Sequence, residues 1–129
     1  MNAILHEGGQ AKNKVELMQK NAKRQIDVLV KVVQHMKVLE KEREDARVLF
    51  DHYRSKMAKL EKTHMNSSDT KKLQKYERNL KKFEEAREKF GDATRKLELV
   101  MDQIREKSDI IIEQVVFKFT REVEADFYG

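Results

Sequence analysis

The chain has 129 residues, of which 40% are charged and 39% apolar, with no cysteine, proline or tryptophan and a formal net charge of +5. That balance is too polar for a thick globular core and suits long helices that each bury one stripe. The absence of cysteine excludes disulfides and thiolate metal sites. Between Gln10 and Tyr128 the only glycine is Gly91, so few backbone breaks are encoded and the expected class is all-α.

The opening residues, "MNAILHEGGQ", are expected to form a flexible segment over 1–10. They carry neither a basic run nor a long apolar stretch, which predicts no secretory leader. No window of the chain approaches the roughly 20 apolar residues of a membrane-spanning helix. These features together predict a cytoplasmic protein.

A helical pattern follows Gly9. Val15, Met18, Ala22, Ile26, Leu29, Val33 and Met36 recur at steps of three and four, and Ala46, Phe50, Tyr53, Met57 and Leu60 resume them. Such spacing predicts one amphipathic helix over 11–64. Between Lys37 and Asp45 only Val38 and Leu39 are apolar, so a bend or a more exposed stretch is expected there.

"THMNSSDT", residues 63–70, favours turns and caps over helix interior. It predicts a loop over 65–69 with Asp69 or Ser68 capping the next helix, at 70–121. In that helix Tyr76, Phe83, Phe90, Leu97, Ile104 and Ile111 stand seven residues apart, with Val115 continuing the apolar register. Two long helices joined by a short connection pack as antiparallel neighbours. Phe83, Phe90, Leu97, Ile104, Ile111 and Val115 are the expected core or dimer seam. "IIIEQVVF", residues 110–117, is apolar nearly all round and predicts a second subunit or a third helix at the end away from the loop.

Charge is unevenly placed. Residues 54–82 hold ten basic side chains against three acidic ones, an excess of seven, whereas 96–129 hold five basic against eight acidic. The hairpin therefore places a cationic cluster at one tip, where a polyanion would bind.

Catalytic constellations are absent. The four histidines are scattered, there is no phosphate-binding glycine loop, and "EKTH", Glu61–His64, supplies only half of a di-iron helix motif. A polar residue near a loop explains His64 without chemistry, and heptad spacing makes Tyr76, Phe83 and Phe90 seam residues rather than a base-stacking ladder. Neither an enzymatic activity nor a cofactor nor a small-molecule substrate is expected.

"EDARVLFDHYRSKMAKLEK" followed by "KYERNLKKFEEAREKFGDATRKLELVMDQI" resembles the Bin/amphiphysin/Rvs, or BAR, family. Members often carry an acidic residue and "AR" ahead of a lysine-rich tip, here Glu44, Asp45, Ala46 and Arg47. Their third helix often opens on an F-x-x-A-x-x-x-F pattern, matched by Phe83, Ala86 and Phe90. The similarity covers roughly residues 25–125, the family's second and third helices. Lys37, Lys41 and Arg43 stand among four acids where the family's second helix is often more basic, and the proline that often kinks its third helix has no counterpart. The resemblance implies a dimeric, BAR-like coiled coil that binds acidic phospholipid membranes at the periphery and senses or shapes curvature. Lipid contacts would fall to Arg54, Lys56, Lys59, Lys62, Lys71, Lys72 and Lys75, and the protein partner to a second copy or a related BAR-like chain. The alternative is a plain coiled-coil tether or cytoskeletal linker without lipid binding. Nucleic acid is a weak candidate, because the acidic C-terminal quarter opposes it and no basic recognition helix is evident.

Overall fold

The computed structural model describes the backbone of residues 2–128 and the side chains of 9–118 and 120–125. Helix α1 runs from Asn2 to Thr63, α2 from Thr70 to Ile110, a π-helical segment from Ile111 to Phe117, and α3 from Lys118 to Tyr128. The class is all-α, and two long helical runs pack together around one turn.

Two of the expected boundaries change. The helix starts at Asn2 rather than after Gly9, so residues 2–10 are helical and not a loose segment; Met1 lies outside the described residues. Glycine disfavours a helix interior by about 1 kcal/mol relative to alanine. It stops a helix abruptly only when it adopts a left-handed conformation, and no described glycine has positive φ. The second correction concerns 111–117, where the α-ladder gives way to a π-helix. Five of the seven residues from Ile110 to Val116 are β-branched. Their stiff side chains crowd a 3.6-residue turn, and the wider turn relieves that crowding.

The chain divides into two compact units. One comprises residues 35–100, the other residues 1–34 with 101–129.

Residues 35–100 form the tip hairpin and contain every buried side chain among the described residues. These are Leu39, Met57 and Leu60 from α1, and Asn79, Ala86 and Val100 from α2. The Phe50 ring stacks on Phe83 at 5.5 Å and on Phe90 at 5.7 Å between centroids. Across the same pair of helices, Arg43 Nε donates to Thr94 Oγ1 at 3.1 Å and the guanidinium lies 5.0 Å from the Phe90 centroid. Most of the expected exposed stretch in α1 is present: from Lys37 to Asp45 only Leu39 is buried and Arg43 half-buried.

The heptad row Phe83, Phe90, Leu97 is half-buried. A row three residues on sits deeper: Asn79 is 6% exposed, Ala86 2% and Val100 8%, with Ala93 half-buried between them. The residues of this second seam position are thus the deeper ones, while the half-buried Phe83 and Phe90 rings pack on Phe50. Asn79 satisfies its amide locally, donating from Nδ2 to the Lys75 carbonyl at 2.8 Å.

The other unit, 1–34 with 101–129, has no buried residue among those described. Ile104, Ile111 and Val115 are half-buried, whereas Leu17, Ile112, Val116 and Phe117 are exposed. Lys14 and Glu122 link its two sides at 3.7 Å. A shallow groove of about 300 Å³ opens between Leu17 and Met18 on one side and Gln114 and Val115 on the other.

Candidate membrane-binding tip

The turn is closed by its own polar side chains. Asp69 is the N-cap of α2: its Oδ1 accepts the Lys71 backbone N–H at 2.9 Å, satisfying one of the donors left free at a helix start. Its carbonyl accepts the Leu73 N–H at 3.1 Å. Ser67 Oγ accepts the Asp69 N–H at 3.1 Å. At the end of α1, His64 N–H donates to the Leu60 carbonyl at 2.7 Å, Thr63 Oγ1 donates to the Lys59 carbonyl at 3.3 Å, and the Thr63 hydroxyl contacts His64 Nδ1. Of the two expected caps, Asp69 is the one used.

This turn brings the cationic ends of two helices together. Lys59, Lys62, Lys71, Lys72 and Lys75 are exposed, and Lys56 is half-buried. Among the described residues none of these six ammonium groups has a carboxylate within 4.0 Å. Arg54 differs from them. It forms an ion pair with Asp51 at 3.1 Å and lies 5.8 Å from the Phe50 centroid, so its charge is partly engaged along its own helix. Of the three acids in this region, Asp69 is taken up by the cap.

Further along α1, Lys41 and Arg47 are ion-paired. Arg47 donates to Glu44 Oε2 at 2.9 Å and to Asp51 Oδ2 at 2.8 Å, and Lys41 donates to Asp45 at 2.8 Å. The hydrogen bond from Arg47 holds the Glu44 carboxyl below its usual range, and the bond to Asp45 holds the Lys41 ammonium above its own. The "EDAR" segment is thus a local ion-pair ladder.

One tip residue escaped the sequence reasoning. Met65 stands within the turn and is 48% exposed, an apolar side chain between two cationic helix ends. Its only signal was an apolar residue in an otherwise polar turn. No group of three potential metal ligands occurs among the described residues. No described helix is long and apolar enough to cross a membrane.

The seam residues fall into two groups. Phe83, Phe90 and Leu97 belong to the tip hairpin, and Phe83 and Phe90 are engaged by Phe50. Ile104, Ile111 and Val115 belong to the other unit, where they are half-buried. Comparison with family models, with curated proteins and with solved structures returned no match.

Proposed function

We propose that the chain is a BAR-like dimerising scaffold that binds acidic phospholipid membranes through its basic tip and senses or shapes curvature at the cytoplasmic face. The observation that carries this reading is the set of six lysines around the 64–69 turn whose ammonium groups have no carboxylate partner. An unneutralised cationic cluster attracts an anionic bilayer, with about 1 kcal/mol for each lysine held near the surface. Met65 adds one apolar side chain at the point of contact. Dimerisation through residues 104–117 would give the scaffold two tips, and two weak sites on one body bind a surface more tightly than either alone.

The test is co-sedimentation with phosphatidylserine vesicles. Lys71→Glu, Lys72→Glu and Lys75→Glu together reduce the excess of seven positive charges over 54–82 to one. This triple variant should lose most vesicle binding and keep its helicity. Lys12→Glu with Lys20→Glu, far along α1, should do much less. Neutral vesicles should bind little, and binding should fall as salt rises, because surface charges are screened beyond about 8 Å at physiological ionic strength. If the parent protein ignores acidic vesicles, the cluster is an ordinary solvated face and the plain coiled-coil tether is the better description.

A further inference from the structure

Within the tip hairpin, α2 carries an ordered row of charge. Lys75, Lys82, Lys89 and Lys96 stand seven residues apart, each immediately before a seam residue: Tyr76, Phe83, Phe90 and Leu97. Seven residues are close to two helical turns, so the four share one flank of the seam over about 30 Å. All four lie in the α-helical stretch of the unit 35–100, and all are exposed. None of their ammonium groups enters an ion pair among the described residues. In α1, Leu49 precedes Phe50 just as Lys82 and Lys89 precede the two rings that stack on it. In an antiparallel pair of helices these preceding positions line the same flank. Leu49 is 39% exposed. Its heptad neighbours His35, Glu42 and Lys56 supply one carboxylate, and Glu42 enters no ion pair among the described residues either. One flank of the hairpin thus presents a lysine row beside an apolar side chain, with no matching acidic row from α1.

We propose that this flank docks an acidic amphipathic helix of a partner protein, one whose carboxylates recur every seven residues beside an apolar stripe. Charges that flank a helical seam set the choice and register of a partner helix, and an amphipathic helix laid along a groove is a recurring mode of recognition. Each exposed ion pair contributes little alone, so selectivity rests on the match of four positions at one spacing. A bilayer suits the row less well. Glu85 and Asp92 are exposed on its outer side, each three residues after one lysine and four before the next. A flat anionic surface laid on the lysines would meet those carboxylates too, whereas a helix about 10–12 Å across seats between the row and Leu49. The contact goes beyond the lipid reading and shares only Lys75 with the tip.

The probe is a synthetic helix of four heptads with a glutamate in each heptad along one edge of a leucine stripe, and its binding is read by fluorescence anisotropy. A control peptide has the same composition, with its glutamates moved to the face opposite the leucines. The parent should bind the first peptide at least about tenfold more tightly than the control, equivalent to about 1.4 kcal/mol. Lys82→Glu, Lys89→Glu and Lys96→Glu together leave the tip lysines in place and should remove that preference. A peptide with lysine in place of each glutamate should bind this triple variant better than it binds the parent. Binding of the first peptide should fade between about 0.1 M and 1 M salt, over which the Debye length falls from about 10 Å to about 3 Å. Circular dichroism establishes that the triple variant is helical. If it unfolds, glutamine at the same three positions replaces the reversed charges and should weaken binding in the same direction. Equal affinity for the two peptides, or a triple variant that binds the first peptide as the parent does, overturns the proposal. So does a triple variant that loses phosphatidylserine vesicles as fully as the tip variant, because the row is then a lipid face. Salt-sensitive self-association of the parent that the triple variant lacks overturns it too, because the occupant is then a second copy. A parent that ignores acidic vesicles but keeps its preference between the peptides retains this docking flank and loses only the lipid reading.

Discussion

Arg43 and Thr94 are 51 positions apart in sequence, and their side chains meet across the tip hairpin at 3.1 Å. Thr94 also donates from Oγ1 to the Phe90 carbonyl at 2.8 Å, so its hydroxyl is both donor and acceptor. The Arg43 guanidinium covers the Phe90 ring that stacks on Phe50. One arginine therefore ties the aromatic cluster, the second helix and the register between them. Arg43→Ala should lower stability by about 1–2 kcal/mol, combining a hydrogen bond with a cation–π contact. Arg43→Lys should recover little of it, since an ammonium lacks the planar fork. Chemical denaturation of the two variants and of Thr94→Val in a double-mutant cycle checks the coupling. Strictly additive losses would show that the two residues act independently.

A buried asparagine in an otherwise apolar row suggests a register device. Asn79 is 6% exposed, and its amide donates to the Lys75 carbonyl of its own helix. Asn79→Leu should raise the unfolding midpoint, because an apolar side chain suits that site better, and should loosen the choice of pairing partner. The expected signature is a more stable protein with a broader distribution of masses in solution. Lower stability would mean that the amide makes a larger contribution than its single hydrogen bond indicates.

Much of this arrangement could be read from the chain. Helical periodicity gave two long helices, and the cluster of Asn66, Ser67, Ser68 and Asp69 located the turn, because those side chains compete with the helical ladder. The sign of charge around the turn followed from counting. Depth was less legible. Aromatic residues at heptad spacing drew attention to Phe83 and Phe90, yet Asn79, Ala86 and Val100 are more buried, since closest approach in a thin pair falls to small side chains. The π-helix at 111–117 was hidden because its residues look the same under either turn geometry. Which lysines remain unpaired was also invisible, as pairing depends on rotamers: Arg54 finds Asp51, while Lys59 and Lys62 find no carboxylate.

Acid should weaken the ion-pair ladder of α1 in a defined direction. Hydrogen bonding from Arg47 lowers the Glu44 pKa below its ordinary value of 4.5. A carboxyl whose pKa falls on folding contributes stability that is present above the unfolded value and is lost as pH falls through the folded one. The Glu44 contribution should therefore be complete at neutral pH and fade below about pH 4.5. Glu44 is exposed, so solvent screening keeps the effect small. Stability measured from pH 7 to pH 3 should decline less steeply in Glu44→Gln than in the parent. Identical slopes would remove Glu44 from the account of acid sensitivity.

The unit of residues 1–34 and 101–129 carries the clearest prediction for assembly. Ile112 is 47% exposed, Val116 50% and Phe117 50%, and no described residue of this unit is buried. Apolar side chains left this open favour association, at about 25 cal/mol for each Å² removed from water. A self-contact here should strengthen or hold steady as salt rises, as expected of an apolar surface. Phe117→Ser is the sharpest probe, because a half-exposed ring in the single chain can be removed with little loss of fold. It should weaken dimerisation at least about tenfold, or about 1.4 kcal/mol, with helicity unchanged. Ile111→Glu should act more strongly, since association would bury a carboxylate that has no partner. Sedimentation equilibrium at low and high salt measures both. A parent protein that stays monomeric at high concentration under both conditions, or a Phe117→Ser variant with the parent's mass throughout, would show that this surface does not hold a second copy.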